Sequence, residues 1–178
     1  MISIQDNFLP ETHLSFFKKQ VTDVPNGYLS MYGVWKKFFI SENKNISTIV
    51  EFGPLWHTTC ALIQNYVKNE HGINIYPYCA RLQVCHETYS IMNHRDDVVR
   101  DSSLENSYTS IIYINDAWDN TCGGEIEFSG TAIEPVYNRL VFYSRDELHC
   151  VLPPKKEWSK PRAIVMFSWD SDIINTIA

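Results

Sequence analysis

Two side chains able to hold a metal stand two residues apart in His94-Arg95-Asp96, and a further histidine, His149, follows 55 residues later, just after an apolar run. In an extended strand, residues i and i+2 project to the same face, so His94 and Asp96 can converge on one point. A histidine from a neighbouring strand can close the set. Two imidazoles and one carboxylate on one side of a metal leave open positions opposite, which suits Fe(II) and oxygen chemistry. Asp97 is a rival carboxylate. In an extended chain it points away from His94, so geometry favours Asp96.

Iron of this kind needs two more electrons from a co-substrate. A keto-dicarboxylate in that role needs a buried cation for its distal carboxylate. Arg162 opens the apolar run Arg162-Ala163-Ile164-Val165-Met166-Phe167. Its planar fork suits a carboxylate, and burying it without a partner is costly. A strand-end arginine that reaches solvent is the alternative. Of the other histidines, His13 and His71 fall on predicted helices and are expected to be exposed, and His57 reads as structural. His86 ends the strand that leads into the metal motif, close to the site. No His-Glu-x-x-His occurs, so zinc-protease chemistry is not indicated.

The elements that must position these residues change character along the chain. The first part reads as helical. Pro10 suits a helix start, and Leu14, Phe16, Phe17 and Val21 give an apolar face before the turn at Asp23-Val24-Pro25-Asn26-Gly27. The aromatic stretch Tyr28 to Ile40 has no clear pattern. A second helix begins at Pro54, with Leu55, Thr59, Leu62, Ile63, Tyr66 and Val67 at helical spacing and Gly72 as its stop. Short strands follow: Cys79 to His86, Tyr108 to Asn115, Glu125 to Phe128, Arg139 to Ser144, His149 to Leu152 and Arg162 to Trp169. Helices first and strands afterwards predict a mainly β fold, a sandwich or jelly roll buttressed by helices. One domain is expected over residues 1–178, with helical support over 1–75 and the β core over 76–170.

Composition narrows the function. A length of 178 residues, 44% apolar and 20% charged, is that of an ordinary globular domain. The net charge of −6 argues against a broad nucleic-acid surface. No apolar run is long enough to cross a membrane, and no secretory leader is evident, so a cytoplasmic location is expected. The five cysteines, Cys60, Cys79, Cys85, Cys122 and Cys150, form no CxxC pair and read as free thiols.

The blocks from Arg81 to Asp170 resemble the 2-oxoglutarate- and Fe(II)-dependent dioxygenases of the prolyl 4-hydroxylase type. Arg81-Leu82-Gln83-Val84 is similar to the strand before the metal motif, and His94-Arg95-Asp96 to the motif itself. Tyr108 to Trp118 resembles the Tyr-Leu-Asn strand, and Gly123-Gly124-Glu125-Ile126 the Gly-Gly-Glu-Leu turn. Ile133-Glu134-Pro135 through Ser144 resembles the segment before the distal histidine. His149-Cys150-Val151 and Pro161-Arg162-Ala163-Ile164 complete the order.

The resemblance implies a double-stranded β-helix with a jelly-roll, cupin-like core. It implies His94, Asp96 and His149 as Fe(II) ligands and Arg162 as the partner of the 2-oxoglutarate distal carboxylate. It also implies that Tyr113 helps hold that co-substrate, with His86 as a further candidate contact. The implied reaction is substrate hydroxylation with release of succinate and CO2, with ascorbate as an accessory candidate. His86 falls where hypoxia-sensor-like prolyl hydroxylases carry a tyrosine, and Ser168 about where they carry a tryptophan. The segment from Cys85 to His94 is shorter than in much of the family, and the loop from His149 to Arg162 is longer.

A peptidyl proline is the leading substrate. The alternative keeps the chemistry and changes the substrate to a free amino acid or other small molecule. Loops Asp97 to Ser107 and Pro153 to Pro161, with Tyr28 to Ile40, would form the entrance. Nucleic-acid demethylation ranks lower, because Ser168 stands where that branch has a second arginine and the chain is acidic. A metal-free binding module of the same fold would be expected to lose a ligand, and halogenases lack the carboxylate that Asp96 supplies here.

Overall fold

The structure, a computed structural model, describes residues 1–21, 34–40, 54–85, 90–96, 106–115, 118, 121–155 and 162–171, with 34–40 as backbone. Two helices, α1 (Glu11–Val21) and α2 (Pro54–His71), back a pair of antiparallel sheets. The strands are β1 (Ile2–Gln5), β2 (Val34–Ile40), β3 (Ile75–Cys85), β4 (Ile91–His94), β5 (Ser107–Tyr113), β6 (Ile126–Phe128), β7 (Thr131–Ile133), β8 (Leu140–Ser144), β9 (His149–Val151) and β10 (Arg162–Ser171). The six-stranded sheet runs β1-β8-β5-β10-β3-β2 and the four-stranded sheet β4-β9-β6-β7. This is the expected mainly β architecture, a double-stranded β-helix with supporting helices. The amino-terminal region expected to be helical also contributes β1, paired with β8, and β2, paired with β3.

Helix α2 follows from spacing. Trp56, Thr59, Cys60, Ile63 and Val67 are buried on one face. Pro54 starts it, where a missing N–H costs nothing. Gly72, at φ 70°, ends it with its N–H on the Lys68 carbonyl at 3.0 Å. Helix α1 buries Leu14 and Phe17 beside Trp56, and the Phe17 and Trp56 rings meet edge-on at 4.8 Å. His13 departs from expectation. It is only 8% exposed and shares a 2.8 Å hydrogen bond between Nε2 and Thr58 Oγ1, because its side of α1 faces α2. His71 is half-buried, stacked on Phe142 and hydrogen-bonded to Ser3.

Alternation along the strands divides the core in two. Leu82, Val84, Ile112, Val165, Phe167 and Trp169 join the helices in one apolar cluster. Ile111, Tyr113, Ile164 and Met166 turn the other way, onto Ile126, Phe128 and Val151 of the small sheet. Strand β3 begins earlier than the predicted Cys79. A register shift between Ser168 and Trp169 lets its pairing with β10 continue past Pro77, and a bulge is one place where a sheet tolerates proline. Strand β5 stops at Tyr113, short of the predicted Asn115. There the Asn115 side chain accepts the Ala163 N–H, beside a backbone bond from the Ile114 N–H to the Ala163 carbonyl.

Candidate metal centre

His94 ends β4 directly opposite His149 at the start of β9. Facing positions in antiparallel strands bring side chains together, and the two rings lie 4.3 Å apart between centroids. Asp96 lies past the end of β4, so the strand pleat does not aim it. Hydrogen bonds do. Its Oδ2 accepts from Thr109 Oγ1 at 2.7 Å and from the Tyr143 hydroxyl at 3.1 Å. Oδ1 is left towards the histidines, 3.8 Å from His94 Nε2 and 3.9 Å from His149 Nε2. One ligand atom from each of the three residues lies within 4.8 Å of the other two.

Both imidazoles are oriented from behind. His94 Nδ1 lies 3.0 Å from the Met92 carbonyl, and His149 Nδ1 lies 2.9 Å from the Glu147 carbonyl. A carbonyl accepts, so each Nδ1 carries the hydrogen and each Nε2 presents its lone pair inward. Burial pushes the His149 pKa below its ordinary value, which favours the neutral, ligating form. Burial, then the neighbouring Asp96 carboxylate, pushes the Tyr143 hydroxyl well up, so it stays protonated and donates to Asp96.

A cavity opens beside the triad. Arg162, Tyr113, His94, Asp96 and His149 line it. Arg162 is 2% exposed and donates from Nη1 to the Gly124 carbonyl at 2.7 Å and from Nη2 to Cys85 Sγ at 3.6 Å. It does not reach solvent as a strand-end arginine would. Gly124 is required at this point. Its φ is 80°, and an added Cβ would meet the Trp118 ring at 3.1 Å and Arg162 Cδ at 3.2 Å. The Tyr113 hydroxyl is buried with no hydrogen-bond partner among the described residues, and burial pushes its pKa up to about 12.

The cavity thus gathers His94, Asp96, His149, Arg162 and Tyr113. His86 and Asp97 lie outside the described residues, as do residues 28–33, 98–105 and 156–161 of the expected entrance. Thr109 and Tyr143 were not singled out by sequence. Strand alternation carried the signal: counting back by twos from Tyr113 gives Ile111 and Thr109, and Tyr143 pairs with Thr109.

The description "2OG-Fe(II) oxygenase superfamily" belongs to the family that matches residues 80–169, half of the chain. The chain belongs to that superfamily. It is a 2-oxoglutarate-dependent Fe(II) dioxygenase, with Fe(II) and 2-oxoglutarate as its cofactor and co-substrate. No curated protein sequence matches it. Solved structures share the fold at low identity. A prolyl-4-hydroxylase from Pseudomonas putida is 17% identical, with 96% of this chain and 91% of that one covered at a TM-score of 0.62. A prolyl hydroxylase from Trichoplax adhaerens, in complex with a hypoxia inducible factor oxygen degradation domain peptide fragment, is 17% identical, with 95% and 83% covered at 0.62. HygX from Streptomyces hygroscopicus, with nickel and 2-oxoglutarate bound, is 7% identical, with 97% and 83% covered at 0.68. Among the described residues, no helix is long and apolar enough to cross a membrane.

The residues present fit both groups. Two imidazoles and a carboxylate, each held from behind, form the donor set for Fe(II) with positions left open. A buried guanidinium and a buried, unpartnered hydroxyl supply donors for a carboxylate in the same cavity.

Proposed function

We propose that this chain hydroxylates a prolyl substrate, with His94, Asp96 and His149 holding Fe(II) and with Arg162 and Tyr113 holding the distal carboxylate of 2-oxoglutarate. Iron and 2-oxoglutarate together supply the oxidising power, with succinate and CO2 as co-products. The observation that carries the reading is the meeting of the triad with Arg162 and Tyr113 in one cavity.

Each side chain has a defined task. The Met92 and Glu147 carbonyls fix the imidazole tautomers. Thr109 and Tyr143 occupy one oxygen of Asp96 and leave the other for the metal. Arg162 supplies charge and a planar fork, while Tyr113 stays protonated and donates. Ile164, Ile126 and Val151 exclude water around them. The prolyl assignment draws on the solved prolyl hydroxylases that share the fold. We assign residues 1–178 to one catalytic unit. Five free cysteines suit a reducing, cytoplasmic setting.

The test starts without oxygen. Fe(II) and 2-oxoglutarate added to the protein should give a visible metal-to-ligand charge-transfer band. Asp96→Ala and His149→Ala should lose it, and Arg162→Ala should need far more 2-oxoglutarate. Succinate release is then screened against prolyl peptides and free amino acids. No band in the wild type, or an undiminished band in Asp96→Ala, would sink the site. Succinate release with free amino acids but no prolyl peptide would move the substrate to a small molecule.

A further inference from the structure

One cation in the cavity has no task in the reaction above. Arg81 lies on β3, on the same side as Gln83 and Cys85, and lines the cavity with the metal triad. Register fixes its place. Cys85 faces Arg162, Gln83 faces Ile164 and Arg81 faces Met166 across the β3–β10 ladder. On the other side of β10, Tyr113 faces Ile164 and Ile111 faces Met166. Arg162 and Arg81 therefore enter from opposite ends of this series, about 13 Å apart along the strand. Arg162 and Tyr113 occupy the co-substrate end. Arg81 belongs to the end nearer Thr109 and Tyr143, the residues that hold Asp96.

Arg81 is half-buried, and its Nε is fully buried with no hydrogen-bond partner among the described residues. A buried guanidinium nitrogen without an acceptor is costly. The Arg81 charge also favours the ionised forms of Tyr143 and Cys79, so its field reaches the centre.

Charge balance points the same way. Among the described residues lining the cavity, Asp96 is the sole carboxylate, against the two guanidiniums of Arg81 and Arg162. Loading Fe(II) adds two positive charges, and 2-oxoglutarate adds two negative ones. One positive charge is left over. It is on the side of the cavity away from the co-substrate anchor.

We infer that Arg81 anchors a carboxylate of the substrate beside the metal, so that the hydroxylated molecule carries a negative charge near its reacting carbon. This rests on the function proposed above and specifies its substrate. The carboxylate is that of a free amino or imino acid, of a peptide's last residue, or of an acidic side chain next to the target.

The full chain, loaded with Fe(II) and 2-oxoglutarate without oxygen, is titrated with matched acids and amides. The pairs are L-proline and L-prolinamide, glycyl-L-proline and its amide, and an internal prolyl peptide with glutamate or glutamine beside the proline. Binding is read by calorimetry and by the change in the charge-transfer band. In at least one pair the acid should bind roughly tenfold to a hundredfold tighter, the scale of a charge-assisted pair. The pair that does so identifies the source. Arg81→Gln should erase the preference and Arg81→Lys should keep part of it, with the 2-oxoglutarate titration in place for both. If no acid outbinds its amide, or if the preference survives in Arg81→Gln, Arg81 is not the anchor. A weakened 2-oxoglutarate complex in Arg81→Gln before any substrate is added also overturns the inference. Absence of the band in the wild type instead overturns the proposed function, and this inference with it.

Discussion

The two faces of the six-stranded sheet are made by the same strands and do different work. Towards the helices, β3, β5 and β10 present Leu82, Val84, Ile112, Val165, Phe167 and Trp169, a nearly unbroken hydrocarbon layer. Towards the small sheet, the intervening positions present Arg81, Gln83, Thr109, Tyr113 and Arg162 among Ile111, Ile164 and Met166. A period of two makes this possible, since one residue's step along the strand changes the environment completely. The helix face supplies most of the burial. The inner face accepts polar groups where partners are built for them, as Thr109 and Tyr143 are for Asp96. Stability and chemistry should then separate by face.

The largest effect belongs to the helix face. Phe167 is fully buried, 5.6 Å from the Trp56 ring and 5.5 Å from the Trp169 ring. Phe167→Ala should cost about 3–5 kcal/mol of stability through lost burial and a cavity. Denaturant unfolding measures it. The two flanking residues on β10, Met166 and Ser168, face the other way, so the variant that remains folded should still form the charge-transfer band. Loss of the band in folded Phe167→Ala would show that the faces are coupled.

Next in size is a change on the inner face. Tyr113→Phe removes a buried hydroxyl that has no partner among the described residues. Removing such a group costs no protein hydrogen bond, so the stability of the protein without co-substrate should hold or rise slightly. Affinity for 2-oxoglutarate should fall by roughly tenfold, the worth of one hydrogen bond to a charged group. An anaerobic titration of the band reads this directly. Unchanged affinity would remove Tyr113 from the co-substrate site.

How far this division was legible depends on the element. Helix α2 was readable because Pro54, the apolar spacing and Gly72 all agree, and those signals are local. The His94, Asp96 and His149 set was readable as residue types, but the reason given for Asp96 was incomplete. Its aim comes from Thr109 and Tyr143, contributed by two other strands, and no spacing near position 96 reveals them. His13 was misread as exposed because one helix does not announce which neighbour covers it. The early start of β3 was hidden by Pro77, which reads as a breaker until the bulge opposite it is known. Arg81 passed as part of a strand block, since its significance lies in facing Met166 and sharing a cavity with the triad.

The smallest effect tests whether titration on the helix face touches stability alone. His13 is buried between α1 and α2 with Nε2 on Thr58, and burial lowers its pKa from 6.5. The folded state therefore resists protonation that the unfolded chain accepts. Below 6.5 the unfolded state binds more protons, so stability falls as pH drops towards the folded pKa and is fully present above 6.5. His13→Gln keeps a hydrogen-bonding group and removes the titration, so its unfolding midpoint should lose this part of the slope below pH 6.5. The loss should be well under the Phe167→Ala effect, because one titration is removed and no large apolar ring leaves the core. The 2-oxoglutarate titration at fixed pH should be the same in His13→Gln and wild type, since α1 packs on the opposite face from the cavity. An altered titration there would mean that the helix layer reaches through the sheet to the site.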